Sequence, residues 1–273
     1  MSGRWGPGGW FGAAGLGGLA LLALLAGWLA PGDPLDIVGR PLQAPFADWR
    51  VPLGTDQLGR DAFAALVHGA RVSLIVGLAA AAAAIGIGML VGTVAGFLGG
   101  WLDDVLMRLT EAFQTVPTFL LALAMVSVLG ANTANIVLAI AVSSWPATAR
   151  LVRAEVLSLK SRDYVDAARI AGMRPLAIAF AEVLPGALQP VVALVGVTVG
   201  AAVLVESALA FLGLGDPNQV SWGGMVANGR AVLRTAPHLV AIPGAAVALT
   251  VLSVSLLGDA LADRLATRRR PGP

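Results

Sequence analysis

Ser161-Arg162-Asp163-Tyr164-Val165-Asp166-Ala167-Ala168-Arg169-Ile170-Ala171-Gly172, followed after a further ten residues by Val183-Leu184-Pro185, forms a polar island between long apolar runs. It reads as a segment that protrudes from a membrane and is gripped by something soluble. Ser161 suits an N-cap, and Asp163 falls in the first turn, where the helix dipole favours negative charge. Gly172 suits the C′ position, where the chain turns left-handed, and Pro175 prevents continuation. The spacing predicts a helix of about ten residues, roughly 15 Å long. Alone in water such a helix is marginal, so it needs a surface to lie against.

Tyr164, Ala167, Ala168 and Ala171 recur at i, i+3, i+4 and i+7, which makes one narrow face of small side chains. Arg162, Asp166 and Arg169 flank it, spaced to brace the helix and to pair with charges on a partner. A helix resting on lipid headgroups would carry Leu, Phe or Trp on its apolar side. Three alanines bury too little area for that, and a protein groove is the expected seat.

Composition places the rest of the chain in lipid. Of 273 residues 57% are apolar even with 34 glycines left out, and 12% are charged, against about 25% charged in soluble domains. A hydrocarbon core of about 30 Å needs some 20 apolar residues in helix. Windows near 11–30, 72–98, 105–129, 188–213 and 239–260 qualify, and a weaker one at 133–149 contains Asn135, Ser143, Ser144 and Pro146. Six spans are expected, with an all-α integral membrane fold. The division is an N-terminal anchor helix and external segment over 1–71, then a core of five helices over 72–273 that carries the polar segment at about 150–187. Arg4 ahead of an apolar stretch also resembles a signal peptide. The stretch is long for one, and Trp28 and Pro31 stand where small residues would be cleaved, so an uncleaved anchor is expected.

Positive charge orients the spans. Arg150, Arg153, Lys160, Arg162, Arg169 and Arg174 gather between spans four and five, and the tail holds Arg264, Arg268, Arg269 and Arg270. On the other side, Arg40, Arg50, Arg60 and Arg71 are outnumbered by five aspartates in residues 31–71. Both termini and the 150–187 segment are therefore expected in the cytoplasm. The net charge of +2 gives no reason to expect nucleic-acid binding.

Several activities are excluded or weakened by what is missing. A P-loop needs G-x-x-x-x-G-K-[ST]; Lys160, the one lysine, follows Ser158 and Leu159, so any ATP hydrolysis must occur on another polypeptide. There is no cysteine, hence no disulfide or thiolate site. An intramembrane enzyme would need a nucleophile and base or paired carboxylates at membrane depth, and no G-x-S-x-G occurs. His68 and His238 stand apart from each other and from carboxylate pairs, so no metal site is expected. Glu111, Glu206 and Asp259 lie in or near spans, where a charge costs about 2.5–3.5 kcal/mol at the bilayer centre. Glu206 is the deepest and could serve a pathway or gate, or simply bond a neighbouring helix. Glu111 could serve the pathway too, or pair with Arg108 three residues before it; Asp259 suits a structural role. Gly88, Gly92 and Gly96 fit a close helix–helix seam, and Pro117 and Pro243 could kink spans three and six.

The Asp166-Ala167-Ala168, three residues, Gly172, then Val183-Leu184-Pro185 arrangement resembles the EAA loop of permease subunits in ATP-binding-cassette importers, with aspartate in place of the first glutamate. Leu53-Gly54-Thr55-Asp56-Gln57-Leu58-Gly59-Arg60-Asp61 and Gly69-Ala70-Arg71-Val72-Ser73-Leu74 resemble the segment before span two in dipeptide/oligopeptide/nickel permeases. So do Phe211-Leu212-Gly213-Leu214-Gly215, Ser221-Trp222-Gly223 and Leu257-Gly258-Asp259-Ala260-Leu261. The likeness covers about residues 50 to 265 and points to the second, "C"-type permease of the pair. The tail departs, since Asp263 leads to Arg264-Leu265 and then Arg268 to Arg270, not to an Asp-Pro-Arg-like run.

The resemblance implies a type I importer permease fold and a non-catalytic role in a bacterial or archaeal inner membrane. A homologous permease would complete a heterodimer, two ATPase subunits would hold ATP and Mg, and an external binding protein would deliver di- or oligopeptides. By that likeness Tyr164, Asp166, Ala167, Ala168 and Gly172 couple the chain to the ATPases, and no cofactor belongs to this chain. The same machinery could import nickel chelates or another small solute. A stand-alone proton-coupled carrier using Glu206 is the alternative of a different class.

Overall fold

Helices account for most of the computed structural model, which describes residues 6–267, and residues 30–61 form a long non-helical segment. Arg4, Arg268, Arg269 and Arg270, used above for orientation, lie outside the described residues. Among the described residues, five helices are long and apolar enough to cross a membrane: α1 (Pro7–Leu29), α2 (Ala62–Leu98), α5 (Thr133–Leu159), α7 (Pro175–Leu214) and α9 (His238–Thr267). Between them lie α3 (Gly100–Thr115), α4 (Thr118–Leu129), α6 (Asp163–Ile170) and α8 (Trp222–Gly229).

The expected third span differs from a single helix. It is the pair α3 and α4, bent by 86° where Val116 and Pro117 interrupt the helix. Proline has no N–H to continue the ladder and restricts the residue before it to extended backbone. Counting the bent pair as one span gives the expected six.

The second span starts ten residues earlier than the window at 72, because Asp61 Oδ1 accepts the Phe63 N–H at 2.8 Å and caps α2 at Ala62. At 37 residues α2 is about 55 Å long, well beyond a bilayer core. The weak window 133–149 is a continuous helix through Pro146 to Leu159, so Arg150 and Arg153 belong to α5 and not to a loop. Partners for its polar groups explain this. Arg153 pairs side-on with Asp103 of α3 through two bonds of 2.6 Å, and Lys160 Nζ donates to Gly96 O at 2.9 Å.

The three glycines at four-residue spacing seat α2 on α5. A Cβ added at Gly88, Gly92 or Gly96 would stand 2.8, 2.4 and 3.0 Å from the carbonyl oxygens of Trp145, Ala149 and Arg153, one turn of α5 each. Small residues let backbones approach this closely where lipid supplies no hydrophobic drive between helices. Gly258 of α9 meets Gly196 of α7 in the same way, with 3.0 Å from an added Cβ to Gly196 Cα.

α1 packs on α9 and α2 at the edge of the bundle. Its exposed Trp10 and Trp28 stand about 27 Å apart along the axis, the separation of the two interfaces that tryptophan favours.

Candidate functional site

α6 emerges just beyond the end of α5. It spans eight residues, Asp163–Ile170, rather than about ten. Ser161 is not its cap: its hydroxyl turns back to Ser158 O at 3.4 Å, and Arg162, with extended backbone, precedes the helix without a side-chain cap. The reason is that α5 runs on to Leu159 and Ser161 still belongs to its fraying end. Asp163 and Asp166 keep their place in the first turn. The other end is closed as the sequence suggests. Gly172 has φ +79°, its N–H donates to Arg169 O at 3.0 Å, and Met173 N–H donates to Ala168 O at 3.1 Å. These two bonds are the Schellman pattern, which only a residue tolerant of positive φ completes easily.

The helix has two faces, divided differently from the alanine stripe. Val165 is wholly buried and Ala168 half-buried against it. They pack into a cluster with Phe97 of α2, Val152 and Val156 of α5, and Ile178, Ala179 and Val183 of α7. Ala168 thus belongs mainly to the inner face. Tyr164, Asp166, Ala167, Ile170 and Ala171 remain exposed, Ile170 at 88%. Arg169 pairs with Asp166 at 2.8 Å and places its guanidinium 5.9 Å from the centre of the Phe97 ring, so one side chain braces α6 and reaches α2.

Sequence reasoning missed Val165 and Phe97 as the anchor and Ile170 as the most exposed apolar group. The signal for the first was present, since Val165 and Ala168 are also spaced i, i+3.

Val183-Leu184-Pro185 has a local function of its own. Residues Ile178–Val183 form a π-turn in which the Leu184 N–H reaches back five residues to Ala179 O. The wider turn accommodates Pro185, which has no N–H and whose ring would crowd the preceding turn of an α-helix.

The carboxylates in and near the spans separate. Glu206 of α7 is buried and accepts hydrogen bonds from Ser73 of α2 and Ser207, each at 3.3 Å. Ser73 Oγ also accepts the Trp222 N–H at 3.2 Å, and Trp222 Nε1 donates to Leu66 O at 3.0 Å. Glu206 is thus the centre of a sealed knot that ties α2, α7 and α8. Glu111 is exposed on α3 and makes no ion pair with Arg108 among the described residues. Asp259 is exposed near the end of α9.

His68 Nε2 lies 3.0 Å from Ala30 O. No cluster of three potential metal ligands occurs among the described residues.

At the end opposite α6 the segments at 53–61 and 211–223 form a built surface. Asp56 Oδ1 accepts the N–H groups of Leu58 and Arg60 at 2.8 and 2.9 Å, and Gly54 and Gly59 take φ of +77° and +82°. An added Cβ would stand 2.2 Å from Gln43 O at the first and 2.3 Å from Gly39 O at the second. Asp216, after α7, accepts from Thr133 N and Oγ1 at 2.9 and 2.7 Å and from Asn218 N at 3.0 Å. Burial pushes its carboxyl up, but these bonds outweigh it and hold it below the usual carboxylate range.

A family model described as the binding-protein-dependent transport system inner membrane component matches residues 65–271. The chain is 40% identical over 263 residues to a di/tripeptide transport system permease protein of Pseudomonas aeruginosa, covering 92% of this chain and 86% of that one. It is 41% identical over 252 residues to a probable peptide ABC transporter permease protein of Sinorhizobium fredii, covering 91% and 85%. A glutathione transport system permease protein of Pectobacterium atrosepticum is 39% identical over 214 residues, covering 78% and 71%. With long apolar helices, close glycine seams and a capped helix displayed at one end of the bundle, the chain belongs to the family of binding-protein-dependent transport system inner membrane components, as a multi-pass ABC transporter permease.

Proposed function

We propose that this chain is one of two permeases of a peptide importer, and that α6 is the contact through which ATP hydrolysis on partner subunits moves its helices. The observation that carries this is the division of α6. Its inner face shares one buried cluster with α2, α5 and α7, while Tyr164, Ala167, Ile170 and Ala171 stand exposed around a helix closed by Gly172. A displayed apolar strip on a short rigid helix fits helix-in-groove recognition.

In this reading a homologous permease completes the pathway, two ATPases hold ATP and Mg, and an external binding protein delivers the peptide. The α6 end and both termini face the cytoplasm, as the arginines at that end favour. Peptides are the proposed cargo because the relatives named above carry peptides or glutathione in their names. The chain itself performs no catalysis.

The test is ATP-driven uptake by the assembled importer in proteoliposomes, with a photocrosslinker at position 167. Uptake that requires ATP and crosslinks to an ATPase are expected. Uptake that stops when the proton gradient collapses while ATP remains, or crosslinks from 167 to lipid alone, would overturn the reading.

A further inference from the structure

Three segments, the first far in sequence from the other two, enclose one cavity at the end opposite α6. The turn at 56–60, residues at the end of α7 from Phe211 with Gly215 just after it, and Ser221 before α8 border a space of about 600 Å³. Its charged lining is Asp56, Arg60, Asp216 and Arg230. Among the described residues the acids already have partners, except at Asp56 Oδ2. Asp56 Oδ1 holds two backbone N–H groups, and both oxygens of Asp216 are bonded.

The cations differ. Arg60 uses its backbone in the turn, its N–H to Asp56 Oδ1 and its carbonyl to Asp56 N at 2.9 Å. No nitrogen of its guanidinium bonds a protein atom among the described residues; Nε is sealed from solvent, so the edge left for a ligand in the cavity is that of Nη1 and Nη2. Arg230 lies 5.2 Å over the Phe211 ring and meets no carboxylate there.

The Nη1–Nη2 edge of a guanidinium matches a carboxylate in two parallel bonds. The space falls in the range of small-molecule sites, about 300–1,000 Å³, and it is concave where a protein partner would favour an open patch. Asp56 Oδ2 accepts no hydrogen bond among the described residues, which leaves an acceptor for an ammonium in the same cavity.

We infer that this cavity is the external receiving site of the permease, where Arg60 binds the C-terminal carboxylate of a peptide released by the binding protein. This rests on the peptide-importer reading above. Recognition of a peptide's terminus ignores its side chains, so one arginine serves many sequences.

The experiment uses the complete importer with its binding protein in proteoliposomes, and radiolabelled Ala-Ala as probe. A charge-assisted hydrogen bond contributes about 1.5–3 kcal/mol, so Arg60→Gln should lower uptake roughly 10- to 100-fold at limiting peptide. Arg60→Lys should restore part of it, and docking of loaded binding protein and its stimulation of ATP hydrolysis should not change. A diazirine-bearing dipeptide should label Met225 of the wild-type cavity, with Ala-Ala competing and Ala-Ala amide failing to compete.

Undiminished uptake by Arg60→Gln, or labelling that never reaches the cavity, would overturn the inference. So would loss of binding-protein docking in Arg60→Gln, which would mean that Arg60 meets an acidic side chain of that protein. If Arg60→Gln does not assemble, the labelling and its competition decide alone. A wild-type importer that takes up no Ala-Ala would instead sink the peptide reading itself.

Discussion

Substitutions at Gly172 separate the shape of the α6 terminus from the space around it. Its φ is +79°, and a Cβ built there meets no heavy atom within 4 Å. Inside this chain a side chain at 172 is therefore penalised by backbone conformation alone. For an L-residue in the left-handed region that penalty is about 1–2 kcal/mol. It is smaller for Asn, which takes this position in many helices, and larger for β-branched residues. The helix has eight residues and is marginal by itself, so 1–2 kcal/mol shifts the population of the closed terminus by roughly 5- to 30-fold. ATP-driven uptake should fall in the order Gly, Asn, Ala, Val, with Gly172→Val near background. Assembly should be verified by co-purification of the ATPases. Normal transport by an assembled Gly172→Val importer would refute the argument. Equal loss in Asn and Val variants would show that the partner's groove, not the backbone, excludes a side chain.

Val165→Ala removes two buried methyl groups at about 0.8 kcal/mol each plus a cavity term; ATPase co-purification should persist while uptake per ATP hydrolysed falls, and unchanged coupling would refute the anchor. Glu206→Gln keeps acceptor geometry toward Ser73 and Ser207 and should retain ATP-driven uptake, whereas Glu206→Leu should reduce the yield of assembled importer; an assembled but inactive Gln variant would favour a proton site. Gly92→Leu should abolish assembly, because even its Cβ would stand 2.4 Å from the Ala149 carbonyl and backbone cannot retreat without opening the α2–α5 seam; a normal yield on membrane extraction would refute this. The Asp216 carboxyl is held low in the folded chain, so its contribution is present above its unfolded value of about 3.9 and is lost as pH falls through the lower folded value. Hydrogen exchange at Thr133 and Asn218 should therefore be protected to the same degree across mildly acidic and neutral pH, once corrected for intrinsic rates, and faster in Asp216→Asn throughout.

The spans, the small-residue seam and the Gly172 terminus were legible because each rests on local chemistry: apolar length, four-residue spacing, positive φ. The break at Pro117 was visible as a possible kink, but proline in a membrane helix permits anything from a slight bend to a corner. α5 was underestimated because a hydropathy window ends at Arg150, while Asp103, fifty residues away, lets Arg153 stay in the helix. The inner face of α6 was misassigned for a related reason. Alanine suits both a docking strip and a tight core, and only the neighbours Phe97, Ile178 and Val183 decide that Ala168 turns inward. Glu206 illustrates the same limit, since its partners Ser73 and Ser207 stand on two helices and nothing in the sequence pairs the first of them with it.

The packing also says how a push on α6 would spread. Arg169 links α6 to Phe97 on α2, and Val165 links it to Val152 and Val156 on α5. α2 and α5 are themselves locked by Gly88, Gly92 and Gly96 and by the Lys160–Gly96 bond. Close-packed helices with interlocked backbones transmit displacement without deforming, so α2 and α5 should travel as one body. α7 enters the same cluster through Ile178, Ala179 and Val183, which form the π-turn beside Pro185. Helices bend at π-turns and prolines in preference to regular turns. Motion that the α2–α5 pair must carry whole can therefore be taken up by α7 at this turn, so that α7 changes its angle to the pair. In the proposed importer, that difference in stiffness between two elements gripped by one helix would convert a displacement of α6 into relative movement of the spans.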